Sequence, residues 1–242
     1  KLESFLTVAN LDSLQPEQVI AGNERVIRPR LADAQFFYNK DLQKPLEDAL
    51  GQLNQVVFQN ELGSFGDKAR RISALAGIIA KSLGTNEAEA ARAGLLAKTD
   101  LVSLMVGEFP ELQGIMGSYY AKAQGEPSVI ADSILAHYLP RFSGDQLPSS
   151  MTACAVAIAD RIDTLVGLFG IGQPPTGSKD PFALRRQSLA VASSPPLRRL
   201  WAAMGSCRAR LPRGRSPPWL RRRAGCFWQQ IPPESSTCTL YT

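Results

Sequence analysis

Apolar residues recur along most of the chain at spacings of three and four, interrupted by short polar turns. Leu46, Leu50, Leu53 and Val57 follow one another at four, three and four positions, which puts them on one face of a helix beginning after Pro45. Ser64-Phe65-Gly66-Asp67 has the form of a capping box, with an acid three residues after the serine. It opens a helix with Ile72, Leu75, Ile79 and Leu83 at core spacing. Gly84 suits the left-handed conformation that ends such a helix. Asn86 with Glu89 signals the next start, and that helix carries Leu95, Leu96, Thr99, Val102 and Val106 before Pro110 terminates it. A short helix over about 111–122 follows, and another starts at Pro127, a favoured first position. Residues 151–169 form a longer one, with Ala155, Ile158, Ile162, Leu165 and Phe169 as its inner stripe.

The two ends depart from this period. FLTVANLDS (5–13) alternates and contains β-branched residues, which predicts a strand; Pro29 then breaks regular structure ahead of an aromatic run, Phe36-Phe37-Tyr38. Asp180-Pro181 opens one more helix, with Phe182, Leu184 and Leu189 as apolar contacts, and the tandem Pro195-Pro196 halts it. The pattern therefore predicts a mainly α protein: residues 1–44 are the end of an N-terminal α+β segment, 45–191 a helical domain, and 193–242 an irregular tail.

Composition changes this picture in one place. The 242 residues carry a net charge of +5, but nine arginines and a single acid, Glu234, fall within 193–242 and contribute +8, leaving −3 for the rest. The same tail holds Trp201, Trp219, Trp228, Cys207, Cys226 and Cys238, and no cysteine pair has metal-ligand spacing. Cys154 lies in an apolar helical stretch and reads as a core thiol, so the expected compartment is reducing and free of disulfides. No apolar run reaches membrane-spanning length, no leader is read at the N-terminus, and a chain opening on Lys1 reads as a fragment or processed form.

Most catalytic chemistries lack their residues. The single histidine, His137, reads as structural or exposed, and one imidazole with scattered cysteines makes a poor zinc site. There is no phosphate-binding loop, and the glycines of GLFGIGQPPTG (167–177) follow a helix where a phosphate cradle needs them to precede one. Asp100, Asp160 and Asp163 are either metal or acid–base groups or helix-surface charges paired with Lys98 or Arg161. Arg25, Arg28 and Arg30 cluster beside a proline, ahead of aromatics. Guanidinium forks with aromatic faces suit phosphate and base contacts, although a solvated turn before an aromatic anchor fits equally well.

GNERVIRPRLADAQFFYNKD, FQNELGSFGDKARRISALA, AGLLAKTDLVSLMVGEFPELQGIMGSYYA and LPSSMTACAVAIADRIDTLVGLFGIGQPPTGSKDPFALRR together resemble the β-subunit family of bacterial tetrameric glycyl-tRNA synthetases, over about residues 4–191. The resemblance implies a part of a longer chain that joins an α subunit in an α2β2 tetramer, binds tRNA(Gly), and resides in the cytoplasm. ATP, glycine and Mg2+ are then expected at the α subunit, with no cofactor or metal on this chain. Arg25, Arg28, Arg30, Lys68, Arg70 and Arg71 become the candidate RNA-backbone contacts.

The helical part also resembles an HD domain, a fold named for a His-Asp metal site, in degenerate form. Lys68 in KARRISALA stands where such proteins begin H-x-x-R-V, AGLLAKTDL with Asp100 replaces A-x-L-L-H-D, and Asp160 in IADRID fits the distant acid. Two imidazoles are missing, and Lys68 lies where it would repel a metal. An HD-type phosphohydrolase and a protein-only helical scaffold are the alternatives to the tRNA reading. The tail resembles nothing in the synthetase family. Its Arg, Pro, Trp and Cys content is that of GC-rich coding sequence read in a shifted frame, against the alternative of an Arg-rich RNA-binding extension.

Overall fold

The computed structural model describes residues 4–198 except 11, 143 and 178. The expectations for residues 199–242 lie outside the described residues. The chain is mainly helical: α1 (Pro16–Asp41), α2 (Ala49–Leu53), α3 (Phe65–Ser82), α4 (Glu87–Leu96), α5 (Leu104–Glu108), α6 (Ile115–Ala123), α7 (Ser128–Ala136), α8 (Met151–Gly170) and α9 (Leu184–Ser193). Strands β1 (Val57–Gln59) and β2 (Gly63–Ser64) pair antiparallel, and they form the one sheet among the described residues.

The caps fall largely where the sequence puts them. Ser64 Oγ accepts from Asp67 N at 3.1 Å while the Asp67 carboxylate accepts from Ser64 N at 3.0 Å, so α3 starts on a complete capping box. Asn86 accepts from the amides of Ala88 and Glu89 at the start of α4. The start expected at Asp180-Pro181 is corrected: α9 begins at Leu184, with Ala183 as its N-cap in the left-handed region (φ 51°), and Asp180 reaches forward to accept from Leu184 N and Arg185 N at 2.7 and 3.1 Å; α9 ends at Ser193, before the prolines.

Several expectations are corrected. No strand forms over 5–13 among the described residues. Pro29 lies inside α1 instead of ending regular structure. The carbonyl that loses its partner there belongs to a helix with no buried residue, where water can satisfy it. Leu46 and Leu53 are both buried, but they belong to a 3-10 turn followed by the five-residue α2, and Val57 is in β1. The helix expected to run to Pro110 stops at Leu96. Lys98 leaves helical geometry (φ −117°, ψ 4°), a 3-10 turn spans Thr99–Val102, and Ser103 caps α5 through Val106 N.

The core is built where α3 packs on α4 and α8, and α7 bridges α6 and α8. Ile72, Ala76, Leu96, Tyr120, Ile134 and Val156 are fully or nearly fully buried in it. The α3–α4 approach is close: a Cβ on Gly94 would sit 3.0 Å from Ser73 Cα, so glycine there sets the helix separation. The end of α1 docks through Phe37 and Tyr38, and the Asp41 carboxylate accepts from Leu104 N, Met105 N and Tyr120 Oη.

Candidate functional site

Two short patterns face one another across the α3–α8 contact. On α3, Lys68, Arg71 and Ile72 stand at i, i+3 and i+4. On α8, Asp160, Asp163 and Thr164 do the same. Lys68 Nζ donates to Asp163 Oδ2 at 3.1 Å and Thr164 Oγ1 at 2.6 Å, lies 2.9 Å from Asp160 Oδ1, and stands over the Phe58 ring. Arg71 clasps Asp163 through both carboxylate oxygens, at 2.6 and 3.2 Å.

The break after α4 brings in the second cation. Lys98 Nζ lies 2.9 Å from Asp160 Oδ2, 2.9 Å from His137 Nε2 and 4.1 Å from the centre of the Tyr138 ring. His137 Nδ1 donates to the Ile134 carbonyl at 2.7 Å, which leaves Nε2 as the acceptor for the ammonium and makes the imidazole neutral. Burial, followed by the Lys98 charge, holds the His137 pKa well below the usual histidine value. Burial alone would raise the Asp160 carboxyl. The ammonium groups of Lys98 and Lys68 outweigh it and keep this carboxyl far below the usual carboxylate range.

The positions compared with an HD site therefore separate. Lys68 and Asp160 meet, but Asp100 belongs to a different network. Its Oδ2 accepts from Gly114 N at 2.5 Å and Gly117 N at 3.1 Å, and its Oδ1 has no hydrogen-bond partner among the described residues. Burial raises the Asp100 carboxyl pKa. The glycines of GIMG have a local reason: Gly114 has φ +81°, and a Cβ on Gly117 would press on Ile134 and Asp100.

This arrangement does not fit a metal ion. Each Asp160 oxygen already faces an ammonium, and a divalent cation there would meet two like charges. Among the described residues no group of three or more His, Cys, Asp or Glu side chains is placed to hold a metal, and nothing favours phosphohydrolase chemistry. What the cluster does is hold α3, the α4–α5 turn, α7 and α8 together by buried ionic contacts.

The candidate RNA contacts divide as well. Lys68 is 3% exposed and surrounded by carboxylates, so it presents no charge to a polyanion, and its assignment to phosphate contact is corrected; Arg71 is partly exposed and clasps Asp163. Arg25, Arg28 and Arg70 are exposed; Arg70 donates to Asn54 Oδ1 and Arg28 lies 3.5 Å from Glu24. Arg30 turns the other way on α1, pairing with Glu108 at 2.7 Å and covering the Phe109 ring.

The sequence offered Lys98 as a partner for Asp100, Asp160 and Asp163, and Lys98–Asp160 is such a pair, but it left open a place on the helix surface and did not show Asp163, Thr164 and Arg161 as parts of one interior. Asp160 and Asp163 are not surface charges, and Arg161 pairs with neither. It donates to the carbonyls of His137, Ala157, Tyr138 and Leu139. The complementary K-x-x-R and D-x-x-D-T spacings were the available signal.

Comparison with known proteins gives a consistent result. A family model described as glycyl-tRNA synthetase beta subunit matches residues 1–197. The chain is 58% identical over 190 residues to the glycine–tRNA ligase beta subunit of Azotobacter vinelandii, covering 78% of this chain and 28% of that protein. It is 59% identical over 190 residues to the protein of that name from Marinobacter nauticus, covering 78% and 27%. The counterpart from Coxiella burnetii is 58% identical over the same length, covering 78% and 28%. The chain thus spans little more than a quarter of the length of these relatives.

Proposed function

Because the chain belongs to the glycyl-tRNA synthetase β-subunit family, we propose that it is a segment of the non-catalytic subunit of a glycine–tRNA ligase, supporting tRNA binding and assembly with an α subunit. The reaction served is the ATP-dependent attachment of glycine to tRNA(Gly), with ATP and Mg2+ at the α subunit, in an α2β2 assembly in the cytoplasm. The observation that carries the reading is the identity of 58% held across 190 residues. In it, the buried cluster is a framework, and exposed Arg25, Arg28 and Arg70 meet RNA phosphates. Such contacts position a nucleic acid without reading its sequence. Among the described residues no helix is long and apolar enough to cross a membrane.

The second reading is a protein-only scaffold. Arg30 favours it, since its guanidinium is engaged by Glu108 and Phe109 and ties the middle of α1 to the end of α5. The test uses the α2β2 enzyme carrying this chain's sequence in its β subunits. Arg25→Gln/Arg28→Gln/Arg70→Gln should weaken tRNA binding to a similar degree for different tRNA sequences. It should also flatten the dependence of log affinity on log salt by about 0.7 to 0.9 for each lost contact. Unchanged affinity and slope with a broken α–β association would favour the scaffold.

A further inference from the structure

One group of charges stands apart from both the buried cluster and α1. Arg141 and Phe142 lie on the loop between α7 and α8, and Arg185 and Arg186 on the first turn of α9. The two elements meet where Arg186 Nη1 donates to the Arg141 carbonyl at 3.5 Å. All three arginines are exposed, and Phe142, next to Arg141 in the chain, is 64% exposed. The acids on the same two segments, Asp145 and Asp180, are engaged with main-chain amides. Asp145 accepts from Arg141 N and Gln146 N, both at 2.8 Å, and Asp180 accepts from the amides that begin α9.

The loop is held from both sides. Arg161 gathers the carbonyls of His137, Tyr138 and Leu139 at 2.9, 3.2 and 2.7 Å, which fixes the chain just before Arg141. On the other side, the Asp145 carboxylate accepts from Arg141 N. Arg141 is thus presented on a backbone ordered in advance, which reduces the entropy cost of binding.

Guanidinium forks match phosphate oxygens, and an aromatic face among them stacks a nucleobase. The bases of an A-form duplex are closed to such a side chain, so the fitting partner is unpaired. We infer that Arg141, Phe142, Arg185 and Arg186 form a contact surface for unpaired RNA, distinct from the α1 arginines. The inference rests on the tRNA-binding reading above. An acidic protein segment is the rival occupant.

The test titrates the 242-residue chain with a labelled uridine oligonucleotide, and separately with duplex RNA of equal length, at several salt concentrations. The tail arginines are common to every variant and cancel in the comparison. Arg141→Gln/Arg185→Gln/Arg186→Gln should lower the log–log salt slope for the oligonucleotide by about 2, at ~0.7 per lost single-strand contact. Phe142→Ala should weaken oligonucleotide binding about tenfold through lost stacking, leave the slope unchanged, and leave duplex binding unaffected. These substitutions are at exposed positions, and an unchanged thermal midpoint checks that the fold is intact. If wild type binds and both variants match it, the surface assignment is overturned while the RNA reading stands. If wild type binds neither RNA but takes up a polyglutamate peptide through the three arginines, both are overturned.

Discussion

Cationic side chains in α1 and α3 look alike in the sequence and end in opposite environments. On α3, Lys68 and Arg71 point at α8, and their charges are matched by Asp160 and Asp163. On α1, no residue is buried, and Arg25 and Arg28 face solvent. The difference comes from what each helix packs against. α3 is covered by α4 and α8, so a charge on its inner face needs a partner at fixed geometry; α1 meets the core through Ala34, Phe37 and Tyr38 in its second half, and Arg25 and Arg28 lie outside that contact. A lysine in this fold can therefore be part of the framework, while an arginine forty residues earlier remains free to meet a polyanion.

The sharpest way to break this contrast is to remove the acid shared by the two lysines. Asp160→Ala leaves the Lys68 and Lys98 ammonium groups in the interior without their common carboxylate, and should cost ~3–5 kcal/mol of stability. Urea unfolding monitored by circular dichroism reads this directly. A loss below ~1 kcal/mol, typical of exposed pairs, would mean that the cluster is solvated and that the two regions do not differ in kind.

A smaller effect follows from His137. Its folded pKa is depressed by burial and by Lys98, whereas in the unfolded chain it returns to about 6.5. Below that pH the unfolded state binds a proton that the folded state refuses, so stability is full above about pH 6.5 and falls as the pH drops. The slope should reach about 1.4 kcal/mol per pH unit, the value for one proton. Asp160, also depressed, adds its own loss only below the ordinary carboxylate range. Measuring unfolding free energy between pH 7 and 5 for wild type and His137→Gln isolates the histidine. Parallel curves would show that the imidazole takes up its proton without unfolding.

Local grammar carried much of the fold. The Ser64–Asp67 box and the Asn86 cap were legible because the bonds that make them span three residues or fewer. The hairpin of β1 and β2 was not, because strands of three and two residues leave no measurable period. The stop at Leu96 was hidden by Thr99, Val102 and Val106, which continue the helical spacing through a break set by Lys98 and Ser103. In α8 the expected inner stripe was partly misplaced: Phe169 is 54% exposed, and Asp163 and Thr164 are buried instead. The ionic interior was the least legible part. Lys68 and Asp163 lie 95 positions apart, and hydrophobic periodicity treats every charge as outward-facing. The resemblance to a metal site directed attention to Lys68 and Asp160, but not to Lys98 as the second cation on the same carboxylate.

The smallest expected effects lie on α1 and set the other end of the scale. The Arg28 side chain is 81% exposed and only 3.5 Å from Glu24 one turn away, so Arg28→Gln should change stability by no more than ~0.5 kcal/mol. Arg30 has a shorter contact, 2.7 Å to Glu108, and a guanidinium 5.0 Å from the centre of the Phe109 ring; Arg30→Gln should cost about 0.5–1 kcal/mol. Both costs should shrink in 1 M salt, where a Debye length of about 3 Å screens exposed charges, while the penalty of Asp160→Ala should persist. Unfolding of the three variants at low and high salt makes the comparison in one experiment. An Arg30→Gln penalty as large and as salt-resistant as that of Asp160→Ala would place the middle of α1 within the framework, and would remove Arg30 from any account of RNA contact.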